Sequence, residues 1–342
     1  MTHPAPSGII WPVGRAASVT HPTGGPRRAE TVSPVSEPPY DSCRRHPFAG
    51  RPGLAAALLT SVRPKQWTKN SLVFLGLIFS LSLGEQNLVV RASTAFVAFC
   101  ALASAAYLLN DLIDLERDRQ HPIKRKRPIA AGHISPLLAA AVAALLAALG
   151  VLLAVGLGYS FSVVALLYLA LTISYSLFLK QVVILDVLAV AAGFVLRAAA
   201  GAVAIGVPIS PWLYVCTVLG ALFIAFCKRR HELLLLQASA GDHRRILQEY
   251  TVPLLDQMIS LVASATVIAY SLYTFSAENL PENHAMMLTI PFVLYGIFRY
   301  LYLIHVKGDG GSPEEVLLSD RPLLATVIGW GAASTAVLYL VG

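Results

Sequence analysis

Charged residues are scarce in this sequence. They make up 13% of its 342 residues, against ~25% in a typical soluble domain. Hydrophobic residues make up 56% of the chain and gather in runs of about 18–25 residues, long enough to cross the ~30 Å core of a bilayer. The short alternating strands of an outer-membrane barrel are missing. The composition therefore argues against a soluble protein and predicts an all-α polytopic membrane protein.

Cysteines are also few, and their spacing does not suggest a metal site. The four of them, Cys43, Cys100, Cys216 and Cys227, include no CxxC pair. Three lie inside apolar runs, so we interpret them as small buried hydrophobic side chains rather than as disulfides or metal ligands.

The N-terminal region differs in composition from the remainder. Residues 1–55 are rich in Pro, Gly and Ser, show no helical period and lack the apolar core of a signal peptide. We predict a disordered cytoplasmic tail over 1–55 and one transmembrane helical domain over 56–342.

The rest of the chain contains nine apolar segments, and the loops between them differ in charge. With the tail in the cytoplasm, the inside loops 110–135, 179–182, 228–252 and 306–321 carry Lys and Arg, whereas the outside loops carry none. This asymmetry is typical of cytoplasmic loops. It accounts for the net charge of +7 without a nucleic-acid partner, and it predicts a multi-pass protein of the cell (inner) membrane with its active site facing the cytoplasm. The segments are about 70–84, 88–109, 136–156, 159–178, 183–206, 210–227, 253–276, 286–305 and 322–341.

Acidic residues cluster where the second segment leaves the membrane. Asp111, Asp114 and Asp118 stand at i, i+3 and i+7, so a helix would present them on one face, with Asn110 directly before them. Crowded carboxylates repel one another unless a cation neutralises them, and Mg²⁺ prefers such oxygen ligands. The spacing predicts a Mg²⁺ site. In the alternative, the aspartates pair with the Arg and Lys residues that follow.

A basic stretch follows the aspartates. Of its cations we expect Arg127, fixed before Pro128, to contact a phosphate, because Arg binds such groups bidentately. For any single Lys in this stretch, a loop kept inside by its charge explains the residue equally well.

Two stretches in this region carry a resemblance. "NDLIDLERD" resembles the N-D-x-x-D-x-x-x-D motif of the UbiA superfamily of intramembrane prenyltransferases, and "KRPIAAGHIS" resembles the loop that follows it. The resemblance covers the chain from about Arg63 onward. It implies nine transmembrane helices around a central cavity open to the cytoplasmic face, and a Mg²⁺-dependent departure of diphosphate.

The sequence departs from that superfamily at its second acidic motif, D-x-x-x-D. Asp186 is present, but Val190 stands four positions later. Fewer anions and more cations suggest that both substrates carry phosphate. The pattern resembles one branch, the polyprenyl-phosphate phosphoribosyltransferases, and "RPKQWTKNSLVF", "GALFIAFCKRRHEL" and "RYLYLIHVKGDGGSPEEVLLSDRPLL" are similar to stretches of that branch.

The resemblance implies transfer of 5-phosphoribose from phosphoribosyl pyrophosphate to a polyprenyl, decaprenyl-like phosphate, with release of diphosphate. The metal ligands would be Asp111, Asp114 and Asp118, joined in catalysis by Lys180, for a phosphate, and Asp186, for metal or ribose hydroxyls. The lone charge of Arg197 within a membrane segment would either bind the acceptor phosphate or stabilise the bundle. The expected substrate-binding residues are Lys65, Lys69, Asn110, Arg127, Tyr175, Arg197, Lys228 and Arg229.

Two other functions stay open at this point. One is a Mg²⁺-dependent prenyltransferase that uses a prenyl diphosphate and an aromatic or isoprenoid acceptor; the absent partner of Asp186 argues against it. The other is a transporter or lipid carrier with the aspartates as ion ligands, although such sites usually lie near the bilayer midplane. A homo-oligomer is possible in each case. Asp320, before Arg321, is expected to cap the last helix.

Overall fold

The computed structural model describes residues 53–121, 124–237, 245–277, 280, 283–308 and 313–341. Over these residues the chain is helical and contains no strand. Most of the tail predicted over 1–55 lies outside the described residues, which begin at Gly53, directly before the first helix.

The described residues form twelve α-helices, and eight helical segments are long and apolar enough to cross a membrane. This confirms a polytopic α-helical architecture. The helices are α1 (Leu54–Val62), α2 (Phe74–Phe79), α3 (Gln86–Ile113), α4 (Leu115–Gln120), α5 (Pro136–Leu157), α6 (Tyr159–Leu177), α7 (Leu185–Ile205), α8 (Pro211–Gln237), α9 (Val252–Ser276), α10 (Ile290–Tyr302), α11 (Pro313–Ser319) and α12 (Arg321–Ala336).

The first predicted segment, 70–84, is built differently from the other eight. A 3₁₀ helix, Pro64–Val73, leads into the short α2. Since a 3₁₀ helix rises ~2.0 Å per residue, the two together extend about 29 Å, close to the thickness of a bilayer core. Within the part of the chain that the structure describes, the nine expected helices thus correspond to eight long segments and one mixed segment.

The mixed segment lies unusually close to α7. A Cβ atom added to Gly201 would stand 1.9 Å from the carbonyl oxygen of Val73, and one added to Gly76 would stand 2.9 Å from the backbone nitrogen of Ala202. Only glycine permits two backbones to approach in this way. Gly76 and Gly201 thus allow the mixed segment and α7 to pack closely.

Helices α3 and α7 occupy the middle of the bundle and are the most deeply buried of the membrane-spanning segments. One apolar core, around Phe99 and Tyr168, packs α3 against α5, α6 and α7. A second core, around Phe223 and Tyr300, packs α8, α9 and α10 together. Because α7 contributes residues to both cores, it joins the two halves of the bundle.

The two ends of the bundle differ in chemistry. We call the end at which α3 finishes and α7 begins the acidic end. At the opposite end Arg91 donates to the carbonyl oxygens of Ala204, at 2.7 Å, and Leu157, at 3.0 Å. These carbonyls belong to the last turns of α7 and α5 and have no partner within their own helices. Arg91 therefore ties two helix ends together.

Candidate active site

The three aspartates of the first motif stand on a helix that is interrupted once. Helix α3 ends at Ile113, Asp114 has φ −90° and ψ 7°, and α4 carries Asp118. The prediction of one continuous helix is thus wrong at Asp114. The interruption is local, because backbone hydrogen bonds continue across it. The amide of Asp114 donates to the carbonyl of Asn110 at 3.0 Å, and the amide of Asp118 donates to the carbonyl of Asp114 at 2.8 Å.

Arg127 joins two of these aspartates. Its Nη1 donates to Asp111 Oδ1 at 3.0 Å and to Asp118 Oδ2 at 2.6 Å. Both carboxylates are buried, each with 3% of its residue surface exposed. A shared nitrogen places the two oxygens within about 6 Å of each other. Asp111 and Asp118 therefore face one side, where both pair with Arg127.

A second arginine reaches the same carboxylate. Arg63 Nη2 donates to Asp111 Oδ1 at 2.6 Å, and its guanidinium lies over the ring of Tyr107 at 4.9 Å. Arg63 has a left-handed backbone, with φ 55° and ψ 63°, which is rare for a residue other than glycine. Arg63 is not among the site residues that the sequence predicts. Its signal was an arginine directly before a proline, the same signal that singled out Arg127.

Lys180 brings the segment after α6 to the first motif. Its Nζ donates to Asp114 Oδ1 and Oδ2 at 3.0 and 2.9 Å. Lys180 is buried, at 7% exposure, in the 3₁₀ helix Leu179–Gln181. Arg117 adds a longer contact to Asp114 at 3.7 Å. The two sequence regions that were predicted separately are thus in contact.

Asp186 is the centre of a neighbouring cluster. It is fully buried and accepts from Arg229 Nε at 2.5 Å and from the hydroxyl of Tyr250 at 2.8 Å. Arg229 also pairs with Glu232 and donates to the hydroxyl of Tyr175 at 3.2 Å. Three predicted residues, Asp186, Arg229 and Tyr175, are therefore in contact.

Val190 takes the place of a second carboxylate on α7. It packs against the apolar core around Phe223. The cluster around Asp186 thus has no carboxylate from position 190, and its two acids, Asp186 and Glu232, both pair with Arg229.

Arg197 lies apart from these clusters. Its guanidinium N–H groups donate to the side-chain oxygen of Asn70, the hydroxyl of Tyr168 and the carbonyl of Gly193, each at 2.7 Å. It also lies over the ring of Tyr168 at 4.7 Å. All three acceptors are neutral, and the guanidinium is buried, so Arg197 links α7 to α6 and to the mixed segment.

The remaining predicted residues are placed less centrally. Lys65 is exposed, and Lys69 donates to Gln66 at 2.5 Å within the same 3₁₀ helix. Asn110 and Lys228 are half-buried, each next to a site residue, Asp111 and Arg229 respectively. The structure therefore groups the aspartates with Arg63, Arg127 and Lys180 rather than with Lys65 or Lys69.

The three aspartates of the first motif carry oxygen donors of the kind that Mg²⁺ binds. Within the described ranges, no three His, Cys, Asp or Glu side chains converge tightly enough to hold an ion together. The carboxylates of Asp111, Asp114 and Asp118 instead accept from Arg and Lys. A metal bound by these carboxylates would therefore replace some of the ion pairs.

Comparison with known proteins gives consistent matches. The model of the UbiA prenyltransferase family matches residues 71–313. Decaprenyl-phosphate phosphoribosyltransferase of Mycolicibacterium smegmatis is 35% identical over 305 residues, covering 86% of this chain and 96% of the relative. The enzyme of the same name from Corynebacterium glutamicum is 35% identical over 299 residues, covering 84% and 88%.

The fold has a solved counterpart. A UbiA homolog from Archaeoglobus fulgidus, solved with GPP and Mg²⁺, superimposes with a TM-score of 0.63 at 19% identity, covering 82% of this chain and 99% of that one. At this identity the similarity supports the helical architecture alone.

Proposed function

The chain belongs to the UbiA prenyltransferase family, and from that premise we propose that it transfers a 5-phosphoribosyl group from phosphoribosyl pyrophosphate to a polyprenyl phosphate. The 35% identity over 86% of the chain to a decaprenyl-phosphate phosphoribosyltransferase supports this activity. The structural observation that carries it is the contact between Lys180 and Asp114, because it brings cations and carboxylates together at one site, as two phosphate-bearing substrates require.

The reaction exchanges one bond at C1 of the ribose for another. A phosphate oxygen of the lipid forms a bond to C1 while the bond from C1 to the diphosphate oxygen breaks, and diphosphate leaves with the electron pair. Positive charge develops at C1 as that bond breaks. The lipid phosphate is already ionised at neutral pH, so the protein does not need a strong general base. Its task is to hold two anions that repel each other.

The carboxylates of Asp111, Asp114 and Asp118 would hold Mg²⁺. Bound there, the ion would stabilise the charge of the departing diphosphate. Arg63, Arg127 and Lys180, which contact these carboxylates, would then donate to phosphate oxygens instead. Since the site exchanges partners rather than gaining unpaired charges, substrate binding leaves few buried charges uncompensated.

The cluster around Asp186 lies at the start of α7, six positions after Lys180. Asp186 and Arg229 are buried and bonded to each other. Once this pair opens, Asp186 would accept from ribose hydroxyls, and Arg229 would donate to the 5-phosphate or to the lipid phosphate. With Val190 as its neighbour on α7, this half of the site has fewer anions than a site for two metal-bound diphosphates would need.

The membrane orientation follows from charge. Lys and Arg are concentrated in the loops at the acidic end and are absent from the opposite loops, so the acidic end would face the cytoplasm. We therefore place the enzyme in the cell membrane with its site open to soluble phosphoribosyl pyrophosphate and its lipid substrate in the bilayer.

One assay tests the activity. Purified protein with Mg²⁺ is incubated with ribose-labelled phosphoribosyl pyrophosphate and a polyprenyl phosphate, and label is measured in the lipid fraction. We expect labelled lipid and one diphosphate per transfer. No label in lipid, together with prenyl transfer from a prenyl diphosphate to an aromatic acceptor, would reject the proposal and favour the prenyltransferase alternative.

A further inference from the structure

Tyr250 contacts two points of the Asp186 segment at once. It lies between the 3₁₀ helix Arg245–Glu249 and α9, and it is buried, with 3% of its surface exposed. Its hydroxyl accepts from the backbone N–H of Ile184 at 2.8 Å and donates to Asp186 Oδ1 at 2.8 Å. Burial raises the pKa of Tyr250 to about 12, so the hydroxyl keeps its proton at neutral pH and can make both bonds.

Ile184 adopts a backbone conformation that its side chain disfavours. Its φ is 69° and its ψ is −43°, and the amide of Leu185 donates to the carbonyl of Val183 at 2.8 Å. This is a γ-turn with a positive φ, a rare and strained form. A β-branched residue in it is an outlier, and such conformations persist only where surrounding contacts hold them.

The strained turn stands between two site residues. Lys180 precedes Ile184 by four positions and Asp186 follows it by two. Lys180 reaches across to Asp114, and Asp186 reaches across to Arg229. If Ile184 relaxed to a negative φ, the direction of the chain between these two side chains would change. The turn thus fixes their relative position.

We propose that Tyr250 is a positioning residue for phosphoribosyl transfer: its hydroxyl holds the turn at Ile184 and one oxygen of Asp186, and thereby sets Asp186 relative to Lys180. The inference rests on the function proposed above. It assigns a role in the site to the connection between α8 and α9, which none of the sequence motifs covers.

The test compares two tyrosine hydroxyls by substitution to phenylalanine. Tyr250→Phe removes both hydrogen bonds. Tyr339→Phe is the control, because the hydroxyl of Tyr339 also accepts a backbone N–H, that of Leu83 at 3.0 Å, but at the opposite end of the bundle. For Tyr250→Phe we expect kcat to fall about ten- to a hundredfold, with KM changed less than about threefold. For Tyr339→Phe we expect both constants to stay within about twofold.

A second measurement reports on the hydrogen bond between the Ile184 amide and the Tyr250 hydroxyl in the absence of substrate. Hydrogen–deuterium exchange of a peptide that contains Ile184 should become about tenfold faster or more in Tyr250→Phe, because its amide loses its acceptor. The same peptide should exchange at the wild-type rate in Tyr339→Phe.

A double-mutant cycle tests the strain. Glycine adopts positive φ without steric cost, so the loss of kcat caused by Tyr250→Phe should be at least about threefold smaller in an Ile184→Gly background. If Tyr250→Phe alone does not fold, the effect of the substitution is measured as the difference in kcat between Ile184→Gly and the double variant.

The outcomes separate the two proposals. Unchanged exchange at Ile184, unchanged kcat in Tyr250→Phe, or equal losses in both backgrounds would overturn the positioning role while the wild-type enzyme remains active. A wild-type protein that transfers no phosphoribose would instead reject the proposed function, and the exchange measurement would still decide whether Tyr250 holds the turn.

Discussion

The ammonium nitrogen of Lys180 lies 3.0 and 2.9 Å from the two carboxylate oxygens of Asp114, although 66 positions separate the residues in the chain. This contact joins the end of α3 to the segment that enters α7. Both groups are largely buried. Removal of Asp114 would take away the carboxylate that Lys180 pairs with, and removal of Lys180 would leave Asp114 the longer contact with Arg117, at 3.7 Å. The pair is therefore a sensitive point for both halves of the site.

Asp114→Asn should lower kcat for phosphoribosyl transfer at least about a hundredfold, because it removes a charge from the group that would hold the metal and from the partner of Lys180. Glu116→Gln is the matched control: the same chemical change two positions away, at an exposed carboxylate that pairs with Arg119. Label incorporation into lipid measures both. A rate for Asp114→Asn within about threefold of that for Glu116→Gln would contradict the assignment of Asp114.

Mg²⁺ and diphosphate should stabilise the protein together far more than separately. Either one alone must break the pairs that Arg63, Arg127 and Lys180 make with the aspartates and leave charges unpaired, whereas both together supply new partners for all of them. We expect the rise in Tm with both ligands to exceed the sum of the two single shifts by at least about 2 °C. Additive shifts, or the same excess in Asp114→Asn, would count against the exchange of partners.

Gly201→Ala should destabilise the bundle, because the added methyl group meets the backbone of Val73 and not a flexible side chain. Overpacking of this kind costs about 1–3 kcal/mol, or a fall in Tm of about 3–10 °C. The control is Gly220→Ala on α8, where no atom lies within 4 Å of the added carbon. Equal Tm values for the two variants, measured in the same detergent, would show that α7 and the mixed segment are not in close contact.

Asp320 should contribute to stability in a manner that depends on pH. It accepts from the amide of Leu323 as the N-cap of α12, as its sequence predicts, and it pairs with Arg299, at 2.8 Å. The hydrogen bond from Arg299 lowers the pKa of Asp320. A lowered pKa means that the stabilisation is present above about pH 4, the ordinary value, and is lost as the pH falls below it.

The corresponding experiment uses Asp320→Asn, which keeps a capping oxygen but loses the charge. At pH 7 we expect a Tm about 1–3 °C below wild type, and the difference should shrink as the pH falls below about 4. Glu315→Gln, at an exposed carboxylate near the same helix, should have no such effect. A difference for Asp320→Asn that stays constant from pH 7 to pH 3 would contradict the ion pair.

Periodicity and loop charge predict most of the fold, because a bilayer limits the chain to long apolar helices. The first segment differs, since a 3₁₀ helix stretches it: Pro64 follows a left-handed Arg63, and packing against Gly201 leaves room only for backbone. Neither the left-handed Arg63 nor the close packing against Gly201 changes the mean hydropathy of the segment, so hydropathy does not predict the 3₁₀ helix. The local sequence is informative there only through the Arg–Pro pair.

The site is predictable where its residues are close in sequence and less so where they meet across the fold. The spacing of Asp111 and Asp118 indicates a common side, and Arg127 contacts both. Tyr250 carries no such signal, because its partners, Ile184 and Asp186, lie more than sixty positions away. The sequence around Tyr250 therefore does not predict its role, which depends on contacts with residues far away in the chain.

Arg197 stands twelve positions beyond the start of α7, about 18 Å along that helix, and its acceptors Asn70, Tyr168 and Gly193 carry no charge. Its unit of positive charge is thus not cancelled by those contacts. In a medium of low polarity such a fixed charge repels protons and metal ions, as arginine does in the pores of water channels. A cation that entered the bundle beside Arg197 would therefore meet this positive charge without a carboxylate among its acceptors to offset it.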